Sequence, residues 1–290
     1  MPIRAVTFDL WLTLIWDSKE LEEYRRLRRL VNFYRFVKKV RLLTSSSSPS
    51  PPPQHGGPSN IDSAQGSRFS YSDVRLALES LQVKAKELYD RGFDIHPKER
   101  ARMLFEILQI KVPKDVEEAL YERAGNILSN SGYFSRFPSL NPEALPTMKL
   151  LKRTFPRVKI ALISNAARSA RAYQRMLKAL GIGDYFDHLV ISCEVGYLKP
   201  RKEIFRKALS LLSVEPSEAL HVGDLFKADI VGAVACKMNA CLYTGLWHKY
   251  AQYTNPGEHI PQDFALQHPG IVVKEIERLQ DVVKVAKLIP

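Results

Sequence analysis

Four acidic, hydroxyl or basic residues follow short apolar runs that are typical of buried β-strands. Asp9 follows AVTF, Ser164 follows IALI and Asp224 follows ALHVG, while Lys199 lies in the loop after the run near Val190. In an open parallel sheet, the carboxyl ends of the strands line one crevice, where ligands bind. These residues, far apart in the chain, are therefore expected to meet in one ligand-binding or catalytic site.

Each of these residues also has a purely structural explanation. An aspartate after a strand is often a helix N-cap, and Ser164 with Asn165 would suit the start of a helix near Ala167. A lysine such as Lys199 is most often a solvated loop charge. Asp229 would be favourable in the first turn of a helix, where negative charge is stabilised. Their joint occurrence at strand ends favours the functional interpretation.

The elements that would position these residues alternate between strand and helix. From about Pro142 onward, helices predicted at 143–153, 167–180, 201–212 and 229–236 separate strands predicted at 158–163, 188–192, 219–222 and 240–243. This alternation predicts a parallel sheet with right-handed crossovers. The strand at 3–9 is expected to join it, which makes the fold α/β with a doubly wound parallel sheet. An amphipathic helix from Lys274 to Lys287 is predicted to pack on the sheet.

Residues 15–141 interrupt this alternation and are predicted to form an inserted α-helical cap domain. The α/β core would then comprise residues 1–14 and 142–290. Apolar residues at helical spacing predict cap helices at 17–43, 71–91, 98–108 and 114–128. The segment 44–66 opens with TSSSSPSPPPQHGGPSN, has almost nothing apolar to bury, and is expected to be a disordered loop.

The composition narrows the class of protein without naming a partner. A hydrophobic fraction of 45% suits a folded protein, and a net charge of +12 attracts anions of any kind. No apolar run approaches the ~20 residues of a membrane span, and the start MPIRAVTFDL is unlike a signal peptide. Three cysteines without metal-ligand spacing indicate a reduced, cytoplasmic protein. The oligomeric state stays open.

Four segments in order resemble the four motifs of the haloacid dehalogenase-like hydrolase superfamily. They are FDLWLTL, LISN, SCEVGYLKPRKEIF and HVGDLFKADIVGA, and together they span most of residues 5–233. Their spacing is similar to that of the branch with a helical cap between the first and second motifs. The resemblance implies that Asp9 is the nucleophile that accepts a phosphoryl group from a small phosphorylated metabolite. Such covalent catalysis divides hydrolysis into two easier steps.

The resemblance also implies a Mg²⁺ site. Its ligands would be Asp9, Asp224 and the backbone carbonyl of Trp11, with Asp229 as a further candidate, because Mg²⁺ prefers oxygen ligands. Lys199 would supply a fixed positive charge beside the nucleophile and the transferred group.

Three further residues complete the implied site. Thr13, Ser164 and the backbone amide of Asn165 would donate hydrogen bonds to phosphoryl oxygens or orient Asp9. In this interpretation, Lys199, Ser164 and Asn165 bind the substrate, and Thr13 and Ser164 also assist catalysis.

Trp11 stands where phosphatases of this superfamily usually carry a second aspartate. An indole donates a hydrogen bond but is no acid for proton transfer at neutral pH, so general acid catalysis, which typically contributes ~100–10,000-fold, lacks its usual residue. A good leaving group, a proton from the cap or from water held by Asp17 or Glu20, and weak activity are open explanations. Leu225 and Ala228 also replace polar residues common in the fourth motif, which is expected to weaken metal binding.

Two other functions stay open. An aromatic residue at position 11 is similar to the 2-haloacid dehalogenase branch, in which Asp attacks carbon without a metal, although the pair Asp224 and Asp229 favours a metal site. The other alternative is a weakly active or non-enzymatic protein that binds a ligand or nucleic acid through the basic helix 19–41. Nucleic acid is not favoured, because the aromatic residues of this helix have the spacing of core residues.

Several charged residues are predicted to have structural roles only. Arg25, Arg26, Arg28 and Arg29 are expected to form a solvated helix face, and the alternative is that they face the crevice and attract phosphorylated ligands. His188 and His221 adjoin predicted strands and are expected to be structural, and His248 follows the last predicted strand.

Overall fold

The structure is a computed structural model that describes residues 3–17, 19–45, 70–130, 138–246 and 258–290. Its strands are β1 (Ala5–Phe8), β2 (Ile15–Trp16), β3 (Ser139–Leu140), β4 (Lys159–Ser164), β5 (His188–Ile191), β6 (Ala219–Gly223), β7 (Asn239–Tyr243) and β8 (Val273–Ile276). Its helices are α1 (Lys19–Ser45), α2 (Tyr71–Asp90), α3 (Pro97–Ile107), α4 (Glu117–Asn130), α5 (Ala144–Thr154), α6 (Ala170–Ala179), α7 (Ser192–Val195), α8 (Lys202–Leu212), α9 (Val231–Ala235) and α10 (Val282–Ala286). Most of the Ser/Pro-rich segment 44–66, and His248, lie outside the described residues.

A six-stranded sheet in the order β5-β4-β1-β6-β7-β8 forms the centre of the molecule. Each neighbouring pair runs parallel. Apolar side chains alternate between two buried clusters: Ile160 and Leu162 point to one face of the sheet, and Ala161 and Ile163 point to the other. Strands buried on both faces by helices are typical of doubly wound parallel sheets. The predicted α/β fold is confirmed.

Helices α1 to α4 have a hydrophobic core of their own. Phe33, Val37, Leu104 and Phe105 are fully or almost fully buried within it. The capping box of Ser70 and Asp73 closes the amino end of α2, because the Ser70 side chain accepts from the Asp73 amide and the Asp73 carboxylate accepts from the Ser70 amide. The short strands β2 and β3 pair antiparallel at the two ends of this helical unit. The boundaries 15–141 for a separate cap domain stay a prediction.

The prediction of one helix from Lys274 to Lys287 was partly wrong. Residues 273–276 form β8, which pairs with β7, and the helix α10 covers only Val282–Ala286. In β8, Val273 and Ile276 are buried while Lys274 and Glu275 are exposed. Two apolar residues three positions apart also fit one face of a helix. Residues 273–276 form a strand and not a helix because the edge of β7 offers them backbone hydrogen-bond partners.

Candidate active site

The nucleophile candidate Asp9 lies at the carboxyl end of the central strand β1. Phe8 is level with Leu162 of β4 and Val222 of β6, and the Asp9 amide donates to the Val222 carbonyl at 2.8 Å. The register therefore puts Ser164 and Asp224 one residue beyond the level of Asp9 on the two adjacent strands. The predicted convergence of strand ends thus follows from backbone pairing alone.

Lys199 joins two carboxylates. Its Nζ lies 2.5 Å from Asp9 Oδ1 and 2.5 Å from Asp229 Oδ1, and all three residues are buried. Burial would lower the pKa of Lys199, but the two carboxylates outweigh it and hold that pKa above its usual range. The ammonium is therefore a permanent positive charge beside the candidate nucleophile.

The side chain of Asn165 holds the lysine loop in place. Its Oδ1 accepts from the Lys199 amide at 2.7 Å, and its Nδ2 donates to the Lys199 carbonyl at 3.1 Å. The predicted role of Asn165 concerned its backbone amide, and no pattern in the sequence indicates this second role of the side chain. The helix that follows is capped by Ser169, whose Oγ accepts from the Ala172 amide, so Ser164 and Asn165 do not serve as its cap.

The acidic residues carry more charge than Lys199 balances. Burial raises the pKa of Asp9 to about 6, against the opposing effect of Lys199. Burial also raises the pKa of Asp224, and the charges of Asp9 and Asp229 raise it further. Burial has the same tendency at Asp229, but Lys199 and the hydrogen bond from His221 overcome it and hold the pKa of that carboxyl well below its usual range. Three buried carboxyl groups thus share one ammonium, and the raised pKa of Asp224 means that its charged form lacks a compensating cation.

This excess of negative charge fits a hard divalent cation. Within the described ranges, no group of three or more His, Cys, Asp and Glu side chains is arranged to hold a metal ion. A Mg²⁺ site needs fewer protein side chains than three, because Mg²⁺ is often held by one or two carboxylates and keeps several waters. Two carboxylates, of Asp9 and Asp224, and one main-chain oxygen therefore suffice as a donor set.

The turn after β1 leaves the Trp11 carbonyl available as that main-chain oxygen. The Ile15 amide donates to the Leu10 carbonyl at 3.0 Å, and the Leu12 amide donates to the Ile15 carbonyl at 2.8 Å. These bonds use neither the amide nor the carbonyl of Trp11. The Trp11 side chain is half-buried against the core.

Both oxygens of Asp229 are already engaged by protein donors. Oδ1 accepts from Lys199 and lies 3.0 Å from His221 Nε2, and Oδ2 accepts from the Leu225 amide at 3.0 Å. A π-helical turn, Phe226–Ile230, brings this carboxylate back to β6. A Cβ on Gly223 would lie 2.2 Å from Asp229 Cγ, so only glycine fits there. The prediction that Asp229 binds the metal directly stays untested.

Two buried hydroxyl groups in the predicted site have no internal partner. Thr13 and Ser164 are fully buried, and nothing in the described part of the chain makes a hydrogen bond to Thr13 Oγ1 or Ser164 Oγ. Buried polar atoms are rarely left unpaired, and exceptions call for an explanation such as a missing ligand. A ligand rich in acceptor oxygens would supply the partners.

The four arginines of α1 differ in their exposure to solvent. Arg26, Arg28 and Arg29 are exposed, in line with a solvated helix face, but Arg25 is buried and pairs with Asp17. Asp17, one candidate for holding a catalytic water, therefore already has a cationic partner.

Comparison with known proteins agrees with this geometry. The family model of the haloacid dehalogenase-like hydrolases matches residues 3–237, and the chain belongs to this family. It is thus a hydrolase. No helix among the described residues is long and apolar enough to cross a membrane.

Two curated relatives cover most of the chain, and both are named glyceraldehyde 3-phosphate phosphatase. The one from Pyrococcus furiosus is 34% identical over 251 residues, which are 87% of this chain and 82% of the relative. The one from Methanopyrus kandleri is 28% identical over 231 residues, which are 80% of this chain and 79% of the relative.

Solved structures share the fold. A 2-haloacid dehalogenase from Pseudomonas syringae has a TM-score of 0.57 at 20% identity, covering 99% of both chains. A HAD phosphatase from Thermococcus onnurineus has a TM-score of 0.52 at 21% identity, covering 98% of this chain and 97% of its own.

Proposed function

We propose that this protein is a magnesium-dependent phosphatase that hydrolyses a small phosphorylated metabolite through an aspartyl-phosphate intermediate at Asp9. The observation that carries the proposal is the buried Lys199 ammonium, which lies 2.5 Å from Asp9 Oδ1 and is held by Asp229. A cation fixed beside a buried carboxylate suits attack on an anionic group, because preorganised charge stabilises the transition state without reorganisation.

In the first step, a carboxylate oxygen of Asp9 attacks phosphorus, the bond between phosphorus and the alcohol oxygen of the substrate breaks, and the departing alkoxide takes a proton from water. In the second step, water attacks the same phosphorus, phosphate leaves and the Asp9 carboxylate is regenerated. Lys199 holds a phosphoryl oxygen throughout, and Thr13 and Ser164 donate their unpaired hydroxyls to the others together with the Asn165 amide. Mg²⁺, when held by Asp9, Asp224 and the Trp11 carbonyl, would offset the negative charge of the carboxylates and the phosphoryl group.

The names of the two relatives suggest the first substrate to try. Glyceraldehyde 3-phosphate is a small phosphorylated metabolite, and it leads a panel of phosphate esters and acyl phosphates assayed with and without Mg²⁺. The fold itself never decides the substrate.

The test of the nucleophile is Asp9→Asn, which keeps the shape of the side chain and removes its nucleophilic charge. We expect phosphate release to fall to the background rate, and chelation of Mg²⁺ to have the same effect on the parent protein. Asp184→Asn is the matched control, because the Asp184 side chain is 84% exposed. Hydrolysis by Asp9→Asn at the parent rate would exclude the mechanism.

Dehalogenation is the second candidate, and Trp11 is the observation that favours it. A leaving halide needs no proton, so an aromatic residue in place of the acid costs nothing in that reaction. Halide release from 2-haloacids without Mg²⁺, and no phosphate release from the panel, would establish it in place of phosphatase activity.

A further inference from the structure

A buried hydrogen-bonded chain of Asp229, His221 and Thr7 extends from Lys199. Thr7 on β1 is level with His221 on β6. Thr7 Oγ1 lies 2.9 Å from His221 Nδ1, and His221 Nε2 lies 3.0 Å from Asp229 Oδ1. Asp229 in turn holds Lys199. The side chains of Thr7 and His221 are both fully buried.

The direction of these hydrogen bonds follows from their chemistry. A carboxylate such as Asp229 only accepts, so His221 Nε2 must carry the proton of the imidazole. With its one proton on Nε2, the neutral imidazole presents Nδ1 as an acceptor, and Nδ1 lies 2.9 Å from Thr7 Oγ1. The Thr7 hydroxyl therefore donates to Nδ1. Its alternative acceptor, the Leu220 carbonyl, is farther away at 3.5 Å.

Packing alone does not require a histidine at position 221. The ring meets Phe205 edge-on, with centroids 5.1 Å apart, and an apolar side chain of similar size would fill the same space. Such a residue would leave the buried Asp229 with one donor fewer, and the loss of a donor to a buried charged group is costly. Asp229 would then be held only by Lys199 and the Leu225 amide, so its carboxylate could rotate and Lys199 Nζ would move relative to Asp9.

We propose that His221 is a positioning residue: its Nε2–H, set by the Thr7 hydroxyl, orients Asp229 and through it places the Lys199 ammonium beside Asp9. The effect on rate rests on the proposed phosphatase function, whereas the hydrogen-bond arrangement does not. His221 touches no reacting atom, so its contribution is to the geometry of the lysine.

The experiment compares two pairs of variants in the full chain. His221→Gln keeps a donor near the Nε2 position, and His221→Leu removes it. Thr7→Ser keeps the hydroxyl, and Thr7→Val removes it with little change in shape. With the best substrate of the phosphate panel, we expect His221→Leu to lower kcat on the order of tenfold, the loss of one charge-assisted hydrogen bond, with KM nearly unchanged. The kcat of His221→Gln is expected to be close to that of the parent protein. The kcat of Thr7→Val is expected to be lower than that of Thr7→Ser.

The second readout is ¹⁵N NMR of histidine-labelled protein, which identifies the protonated ring nitrogen of His221. We expect the proton on Nε2 in the parent and a shifted Nδ1 resonance in Thr7→Val. A proton on Nδ1 would overturn the proposal, as would equal kcat for His221→Gln and His221→Leu in folded protein. If His221→Leu fails to fold, the ¹⁵N spectrum of the parent and the kcat values of Thr7→Ser and Thr7→Val still test the proposal. A parent protein that hydrolyses no phosphate ester but protonates Nε2 would retain the arrangement and reject only the phosphatase function.

Discussion

At the scale of single residues, Trp11 affects two parts of the proposed mechanism differently: its backbone carbonyl could bind the metal, but its side chain could not act as an acid. The proposed metal ligand that belongs to the backbone, a carbonyl oxygen two residues after the proposed nucleophile Asp9, is present whatever the side chain. The feature that depends on the side chain, a carboxylic acid, is absent. Because an indole cannot transfer a proton at neutral pH, the leaving group must depart without help from this position.

Trp11→Asp is expected to restore that help. An alkoxide is a poor leaving group unless it is protonated, whereas a phenolate leaves readily without a proton. The kcat for alkyl phosphates should therefore rise more than the kcat for aryl phosphates. The ratio should increase by about tenfold or more, since general acids typically contribute ~100-fold at least. Steady-state assays of both substrate types measure it.

Trp11→Asn is the control, because it removes the indole without adding an acid. Equal changes for alkyl and aryl esters in Trp11→Asp would show that the acid position has no bearing on this enzyme's leaving group.

At the scale of elements, the helical unit contacts the loop that carries Lys199. Residues between α2 and α3 form this contact. Phe93 bridges to Tyr197, and the Arg201 guanidinium lies 4.6 Å from the Phe93 ring centroid and 5.1 Å from that of Tyr197. Asp94 accepts from Ser192 Oγ at 2.5 Å, and the same Oγ accepts from the Ala166 amide at 2.8 Å. The segment between α2 and α3 therefore contacts residues on both sides of Lys199 and, through Asp94, the start of α7.

Asp94→Ala is expected to destabilise the protein by about 3 kcal/mol, because it leaves a largely buried arginine, Arg100, without its carboxylate. Asp90→Ala is the matched control: Asp90 pairs with Lys86 on the exposed face of α2, and exposed pairs contribute under about 1 kcal/mol. Urea unfolding curves give both free energies. Similar losses for the two variants would show that the Asp94 contact does not stabilise the fold.

At the scale of the whole molecule, charge is distributed unevenly. The chain carries a net charge of +12, yet its candidate site holds three buried carboxylates and one lysine ammonium. The positive surface attracts anionic substrates over distance. In the proposed mechanism, a bound cation would offset the charge of these acidic side chains and favour the approach of a phosphoryl group to Asp9.

Mg²⁺ is accordingly expected to stabilise the folded protein. A cation that binds only the folded state at 100 times its Kd adds about 2.7 kcal/mol, which a rise in Tm on addition of MgCl₂ would reveal. Asp224→Asn should lose this response, because it removes a proposed ligand, while Asp184→Asn should keep it. A rise in Tm of equal size in Asp224→Asn would remove Asp224 from the metal site.

The sequence by itself determined the α/β class, the order of most elements, and the meeting of Asp9 and Lys199 at the edge where the strands end. These features depend on local periodicity and on the rule that parallel strands end at one edge of a sheet, and both can be followed along the chain. Thr13 and Ser164 stay predictions whose unpaired hydroxyls agree with the role proposed for them.

The tertiary structure alone decided what depends on partners distant in sequence. Val273–Ile276 became a strand because the edge of β7 was free, although its apolar spacing suited a helix as well. His221, predicted to be structural, proved to contact Asp229 because a π-helical turn brings that carboxylate back to β6. The contacts of Asn165 with the Lys199 backbone and of Arg25 with Asp17 likewise depend on how the chain packs. A short apolar or polar pattern carries no information about which distant donor or strand edge will lie beside it, and that is settled only when the chain packs.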